Sequence, residues 1–478
     1  MLSQIIQVGM QILVTGILAR LVTPEAFGLV AIASMIIVFG EMFAEAGIGA
    51  SLIQMKNLTN KHIRGAFVLS VTLGLIFLVL MWLLSPLIAK FFRAEKAVDV
   101  IRYCSLSVLI TKLGMVSNSL LERDFRFDKI MFINTGSYIL GYGTVGILLA
   151  FSGYGVWAIV AAKISQSVLK STGLYLTKRH SVIPVFQKIY YKDIILFGSG
   201  LTLSRIFNNL AQQGDYFIVG RFLGTTVLGI YERAFHIMQL PGQQLGNILD
   251  KASFPALSRV QDDKQKLTKA YLTGIGISST FLIPLSILMI ILAPEIVLVL
   301  LGKNWEMAIN PLRILLVTLV FRTSVKITDS LVRAKGAVYS SAKRKGVFAI
   351  IIIAGCFIGQ RYGINGVATA VNIAIVINYI LMTSLALKIV DTKIIEYLKV
   401  LFPGIIIGTV TFISGIFTVY LFRLFYLPII VLCGTIILTS ISVLFVLRIK
   451  PSIIGSDFWI LLNNIKNNLK FSLNLKKI

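Results

Sequence analysis

The side chains in this chain that are capable of chemistry are spaced for holding a ligand rather than for breaking bonds. Arg322, Lys326, Asp329 and Arg333 follow at intervals of three and four, so they share one helix face. Arg205, Asn208 or Asn209, Gln212 and Tyr216 do the same, and Lys163, Gln166 and Lys170 form a shorter stripe. Guanidinium and ammonium groups hold anionic oxygens through charge-assisted hydrogen bonds, and amides suit sugar hydroxyls. Arg205, Arg233, Arg322 and Lys326 are therefore candidates for gripping an anion. Asn209 and Gln212, with Asn208, Gln213, Gln239, Gln243 and Gln244, are candidates for meeting hydroxyls.

Acids are scarcer within the same apolar segments. Glu41 and Glu45 lie four apart on one face, and Asp215 and Glu232 flank a short connection. Glu45, Asp215 and Glu41 are the candidates for coupling to protons or sodium. Because the cations outnumber these acids, a cavity lined by them would attract an anion. Structural readings stand beside the functional ones. Lys170, Lys251, Arg313 and Arg333 lie near segment ends and could snorkel to the interface. Arg205 could lock helices together, Asp215 could pair with Arg221 or Arg20, and Glu41 and Glu45 could be protonated and merely packed.

Several chemistries are excluded. Cys104, Cys356 and Cys433 stand singly in apolar segments without metal or redox spacing, so they read as packing residues. "GYGTVG" at 141–146 fits a dinucleotide pattern but lacks a βαβ context; its glycines suit close helix approach instead. His62 and His180 fall in basic loops and read as solvated, and His236 as a packing histidine. The Asn57-Leu58-Thr59 sequon falls on a side where it would go unused. No metal site, cofactor or nucleotide-binding loop is expected, so transport would draw on an ion gradient or on downhill cargo movement.

The elements that must position these residues follow from composition. The chain is 56% hydrophobic and 14% charged, with a mean hydropathy of +0.87, where a soluble domain carries about a quarter charged residues. Apolar stretches of about 20 residues, each long enough to cross roughly 30 Å of hydrocarbon, recur throughout. The expected fold is an all-α polytopic membrane protein with about fourteen transmembrane helices. They include spans at 26–50, 130–151, 154–177, 193–220, 225–255 and 306–335. The first span reads as a retained helix rather than a cleaved signal.

The net charge of +26 is distributed as a membrane protein's charge would be. Connections alternate so that about 28 Lys and Arg fall on one side and about 8 on the other, a bias that places both termini in the cytoplasm. The excess charge orients the chain, and nucleic acid is not an expected partner. A weak repeat also appears. "RLVTPEAFGLV" from Arg20 aligns with "RFLGTTVLGIY" from Arg221, pairing Gly28 with Gly229. "GYGVWAIVA" from Gly153 aligns with "GINGVATAV" from Gly363, pairing Gly155 with Gly366. The expected organisation is a six-helix lobe at 1–177, a cytoplasmic linker at 178–192 and a second six-helix lobe at 193–388. A helix pair at 398–448 and a basic tail at 449–478 follow. An even helix count per lobe gives a pseudo-twofold along the membrane normal.

"GILARLVTPEAFGLVAIASMIIVFGEMFAEAGIGASLIQ" (16–54) and "DYFIVGRFLGTTVLGIYERAFHIMQLPGQ" (215–243) resemble the polysaccharide-exporter branch of the multidrug/oligosaccharidyl-lipid/polysaccharide superfamily. The resemblance covers essentially residues 1 to 400. It implies a flippase for undecaprenyl-pyrophosphate-linked oligosaccharide in the bacterial inner membrane, of the Wzx or teichuronic-acid-exporter kind. Alternating access between two lobes is implied too, with Glu45 and Asp215 at the family's acidic positions. A polysaccharide polymerase and glycosyltransferases would be pathway partners. The family's short basic, Gly-containing opening stretch has no counterpart ahead of Met1. A lipid II flippase is the nearest alternative. A drug exporter would want an anionic, aromatic cavity, and a membrane glycan polymerase would want a sizeable outer loop with clustered catalytic residues.

Overall fold

A computed structural model describes residues 2–45, 47–55, 57–184, 212–425 and 427–449. All regular elements among them are helical, and they pack as two compact units. One unit comprises Met1–Arg233, Leu300–Ala308 and Ala349–Val367; the other comprises Ala234–Val299, Ile309–Phe348 and Ala368–Ile478. Seven described helices are long and apolar enough to cross a membrane, or eight if one bent pair counts as a single span. That measure takes Tyr339–Val390 as one stretch although it holds two helices, and part of the expected 193–220 span lies outside the described residues.

In the first unit α1 (Leu2–Leu21) and α2 (Pro24–Glu45) open the chain. Thr23 accepts a hydrogen bond from Ala26 N–H, and Pro24 sits where a missing N–H costs nothing. The expected single span at 26–50 is broken: α2 stops at Glu45, Gly47 takes φ 69°, and α3 (Ile48–Gln54) restarts the helix. The Arg123 guanidinium then caps α3 by donating to the carbonyls of Leu52, Ile53 and Met55 at 2.7–3.1 Å. Ile48 and Leu52 pack with Ala66 of α4 (Asn60–Phe92) and Val116 of α5 (Ala97–Arg123).

The expected fifth span is α6 (Phe127–Ser137), a π-helical stretch (Tyr138–Val145) and α7 (Gly146–Phe151). The "GYGTVG" segment lies mostly in the π-helical stretch. A Cβ at Gly141 would fall 2.5 Å from Gln166 Cα of α8 (Val156–Thr177), so this glycine does serve close helix approach. His62 keeps its exposed place, whereas His180 differs from its solvated reading. His62 completes a capping box with Thr59 at the start of α4. His180 packs against the rings of Phe67 and Tyr175, and burial pushes its imidazole below the ordinary value. Arg64 donates to the carbonyls of Ile183 and Pro184, which fastens the start of the linker to α4.

The two glycines aligned in the sequence meet in space. Gly28 in α2 and Gly229 in α10 (Thr225–Arg259) face each other reciprocally. A Cβ at Gly28 would overlap the Thr225 carbonyl oxygen, and a Cβ at Gly229 would overlap the Pro24 carbonyl oxygen. Pro24 and Thr225 stand at the same offset as the two glycines, so the crossing maps onto itself when the repeats are exchanged.

The second unit is built on α11 (Lys264–Ile291), α14 (Leu319–Ala334), α16 (Gly363–Val390) and α17 (Ile394–Phe422). Its core joins Leu267, Tyr271 and Ile275 to Ile327, Leu331, Ala386 and Tyr397. The expected span at 306–335 is another broken element. A 3-10 turn (Lys303–Ala308) and α13 (Ile309–Leu316) precede α14 at a bend of 48°. Carbonyls left without helical donors in an apolar interior must find side-chain partners. The Ile314 carbonyl accepts from Asn372, whose oxygen in turn accepts from Thr318, and the Leu316 carbonyl accepts from Ser286. The last helix among the described residues, α18 (Pro428–Ile449), buries only Val431, Thr435 and Thr439 while exposing Ile437, Leu444 and Phe445. Small groups inward and large apolar groups outward is the arrangement expected when the solvent is lipid.

Replacing Gly28 or Gly229 by alanine should destabilise the protein by about 1–3 kcal/mol or more, the usual cost of overpacking. Gly346 has open space around its Cβ position, so Gly346→Ala serves as the neutral control. Thermal stability of detergent-solubilised protein is the measurement; equal melting of all three variants would contradict the crossing.

Candidate functional site

A cavity of about 240 Å³ lies within the first unit. Its polar lining includes Tyr142, Lys163, Gln213, Tyr216, Glu232 and Arg233. Four elements deliver them: the π-helical stretch brings Tyr142, α8 brings Lys163, α10 brings Glu232 and Arg233, and the helical stretch 212–222 (α9) brings Gln213 and Tyr216. Among the charged residues of the lining, two cations face one acid.

Arg233 Nε donates to Glu232 Oε2, and the guanidinium stands 4.7 Å from the centre of the Phe27 ring. Both side chains of the pair are largely buried, at 13% and 18% exposure. Lys163 Nζ donates to Ser34 Oγ at 2.7 Å. Tyr142 stacks on Tyr138 with ring centres 5.3 Å apart, one turn earlier in the π-helical stretch. A guanidinium flanked by carboxylate and ring is fixed in orientation, which suits it to meeting an oxyanion without reorganisation.

The candidate acids take different places. Asp215 is buried; its carboxylate accepts from Tyr231 Oη at 2.8 Å and from the Tyr216 backbone N–H at 3.0 Å. Arg221, one of its two anticipated partners, donates to the Phe91 carbonyl and stacks on the Phe91 ring. Glu41 interacts electrostatically with Lys170, as does Glu122, so Lys170 has carboxylates to answer as well as an interface to reach. The side chain of Glu45, together with Arg205, Asn208 and Asn209, lies outside the described residues; Gln212 is exposed at the beginning of α9.

In the second unit the α14 stripe divides in two. Asp329 forms an ion pair with Lys345 at 2.9 Å, and Arg333 is exposed and donates to Ser330 Oγ. Arg322 lies over the Phe235 ring at 5.0 Å, and Lys326 lies along Gly246, where a Cβ would sit 2.9 Å from Lys326 Cδ. Arg322 and Lys326 therefore look onto the same helix, α10, one against an aromatic and one against a glycine. Of the residues singled out in the sequence, Arg233 and Lys163 line this pocket, while Arg322 and Lys326 lie on α14 in the second unit. Tyr142 and Phe27 also line the pocket and were not singled out. The aromatic spacing Tyr138–Tyr142 was the available signal.

A multi-pass helical membrane protein with an internal polar pocket of this kind has the architecture of a transporter. Residues 17–310 match the family described as "Polysaccharide biosynthesis protein", and the chain belongs to that family. It is 27% identical over 305 residues to the teichuronic acid biosynthesis protein TuaB of Bacillus subtilis, a match covering 63% of this chain and 62% of TuaB. To the lipopolysaccharide biosynthesis protein WzxC of Escherichia coli it is 25% identical over 389 residues, covering 81% of this chain and 79% of WzxC. Its fold is similar to that of the lipid II flippase MurJ in an inward closed conformation. The TM-score is 0.75 with 16% identity, and the likeness covers 96% of this chain and 98% of that one. The expected all-α polytopic membrane fold is thereby shown.

Glu232→Gln should leave Arg233 uncompensated and destabilise the protein by about 3 kcal/mol, as breaking a buried pair does. Asp99→Asn, at the more exposed pair with Arg102, should cost less than about 1 kcal/mol; comparative thermal melts check the ranking. Gly246→Leu should push Lys326 from its seat and lower transport as far as Lys326→Ala does, at unchanged membrane expression. Full activity of Gly246→Leu would remove Lys326 from the site.

Proposed function

We propose that this protein flips a lipid-linked oligosaccharide across the bacterial inner membrane during surface polysaccharide assembly. The cargo is an undecaprenyl-pyrophosphate-linked repeat unit. The observation that carries this reading is a polar pocket with a cation surplus, enclosed by a bundle whose outer face is apolar. Such a pocket suits a diphosphate and its sugars while the polyprenyl tail stays in lipid. The names of TuaB and WzxC, both proteins of surface-glycan assembly, support this cargo class. The likeness to a lipid II flippase concerns fold, so it adds no preference for peptidoglycan precursor.

In this reading Arg233, Arg322 and Lys326 are candidate cationic groups for the pyrophosphate. Arg205 adds a fourth, while Asn209 and Gln212 meet sugar hydroxyls. The lobes at 1–177 and 193–388 alternate access, with both termini in the cytoplasm, and the reciprocal Gly28–Gly229 crossing supports their repeat relationship. Glu45, Asp215 or Glu41 couples the motion to protons or sodium. Glycosyltransferases supply the cargo, and a polymerase consumes it.

Removing the protein should trap lipid-linked oligosaccharide on the cytoplasmic leaflet, measured by its protection from a membrane-impermeant glycan label. Restoration by the wild type but not by Arg322→Ala/Lys326→Ala, at equal expression, is the expected result. Unchanged flipping in the double variant would take the phosphate role from those residues, and no trapped oligosaccharide on deletion would overturn the cargo.

A further inference from the structure

The largest cavity among those described belongs to no part of the site above. It measures about 700 Å³, lies in the second unit, and runs between α11 and α17 beside the turn that follows α16. Its composition changes along its length. At one end stand Lys264, Gln265, Thr268 and Lys269 of α11 with Asp391 and Thr392 of the turn. Further along α11 come Leu272, Gly276 and Ile277, faced by Val400 and Pro403 of α17. Beyond these the helices touch: a Cβ at Gly404 would lie 2.6 Å from the Ser279 carbonyl oxygen. The groove is thus polar and open at one end, apolar along its walls and shut at the other.

Dimensions and charge point to one class of occupant. From Lys264 to Thr280 a helix rises about 24 Å, whereas one leaflet with its headgroups is about 20–22 Å thick. A groove starting among lysines and closing near mid-bilayer matches a single phospholipid, headgroup at the mouth and acyl chain between the helices. A polyprenyl chain several times longer than an acyl chain would not be enclosed. Lys264 and Lys269 at the mouth outnumber Asp391, whose carboxylate accepts from Lys264 at 3.3 Å. Lys266, Lys393 and Lys399 stand on the same two helix starts, with Asp263, which pairs with Lys266 at 3.0 Å, and Glu396 as the acids there. Basic pockets between transmembrane helices at the membrane surface suit anionic headgroups.

We infer that the groove between α11 and α17 is a binding site for an anionic glycerophospholipid, whose phosphate is held by Lys264 and Lys269. The lipid fills the space between two helices of the second unit and so supports their packing. This site is separate from the cargo pocket, and its failure would leave the transport reading untouched.

The test uses full-length protein purified in mild detergent and mixed with phosphatidylglycerol or phosphatidylcholine at equal mole fraction; retained lipid is counted by native mass spectrometry. Each interfacial lysine is worth about a fivefold preference for anionic lipid. Wild type should therefore retain phosphatidylglycerol preferentially, and Lys264→Gln/Lys269→Gln should lose at least about fivefold of that preference. Gly276→Leu, which places a side chain in the groove, should reduce retention of both lipids. Equal retention of the two lipids by wild type, or selectivity unaltered in the lysine variant, would overturn the assignment. Displacement of phosphatidylglycerol by polyprenyl phosphate at lower concentration would also overturn it, since the groove would then belong to the cargo's lipid. If Gly276→Leu fails to fold, the lysine variant and the competition remain decisive.

Discussion

In hydrocarbon, a backbone carbonyl or a charged side chain has no solvent to fall back on, and every departure from a plain apolar helix must be answered from within the chain. Two irregular places among the described residues show how the constraint is met. Where α3 ends, Arg123 covers the exposed carbonyls. Where α13 bends into α14, Asn372 and Ser286 do so. The charged groups of the interior follow the same rule: Arg233 has Glu232 and a ring, Asp215 has Tyr231, and Asp329 has Lys345. Irregular backbone and polar side chains are tolerated because the bundle supplies their partners, and the same irregularities open the space in which a polar ligand can be met.

Much of this was legible in the amino acids. Composition alone fixes a helical membrane protein, and the i, i+4 stripe of α14 identifies Arg322 and Lys326 as facing inward. Spacing did not reveal that the stripe would divide, because the partner of Asp329 comes from Lys345, on the following helix. Broken helices were equally hidden. The segment 26–50 is apolar apart from Ser34, Glu41 and Glu45, and hydropathy is blind to a glycine that takes a positive φ between two helical runs. Tyr142 escaped notice for a related reason: a π-helical stretch re-aims side chains in a way that 3.6-residue periodicity does not register. His180 looked solvated since its neighbours in sequence are basic, whereas its neighbours in space are Phe67 and Tyr175.

The family and the fold answer different questions. A fold shared with a lipid II flippase at 16% identity establishes architecture, and a fold of this kind hosts several cargoes. What distinguishes them is which cations line the interior and what shape surrounds them. Here the pocket of the first unit combines a fixed guanidinium with tyrosines and an amide. Such a wall can hold charge and hydroxyls together, whereas a drug exporter's wall would have to favour organic cations.

The mutual seating of Gly28 and Gly229 has a genetic corollary. What occupies the space beside each glycine is a main-chain oxygen, from Thr225 or from Pro24, and a main-chain oxygen persists whatever residue stands there. A larger residue at either glycine therefore has no compensating change available at the position it strikes. The surrounding positions are free to drift, but at this contact the histories of the two glycines are tied.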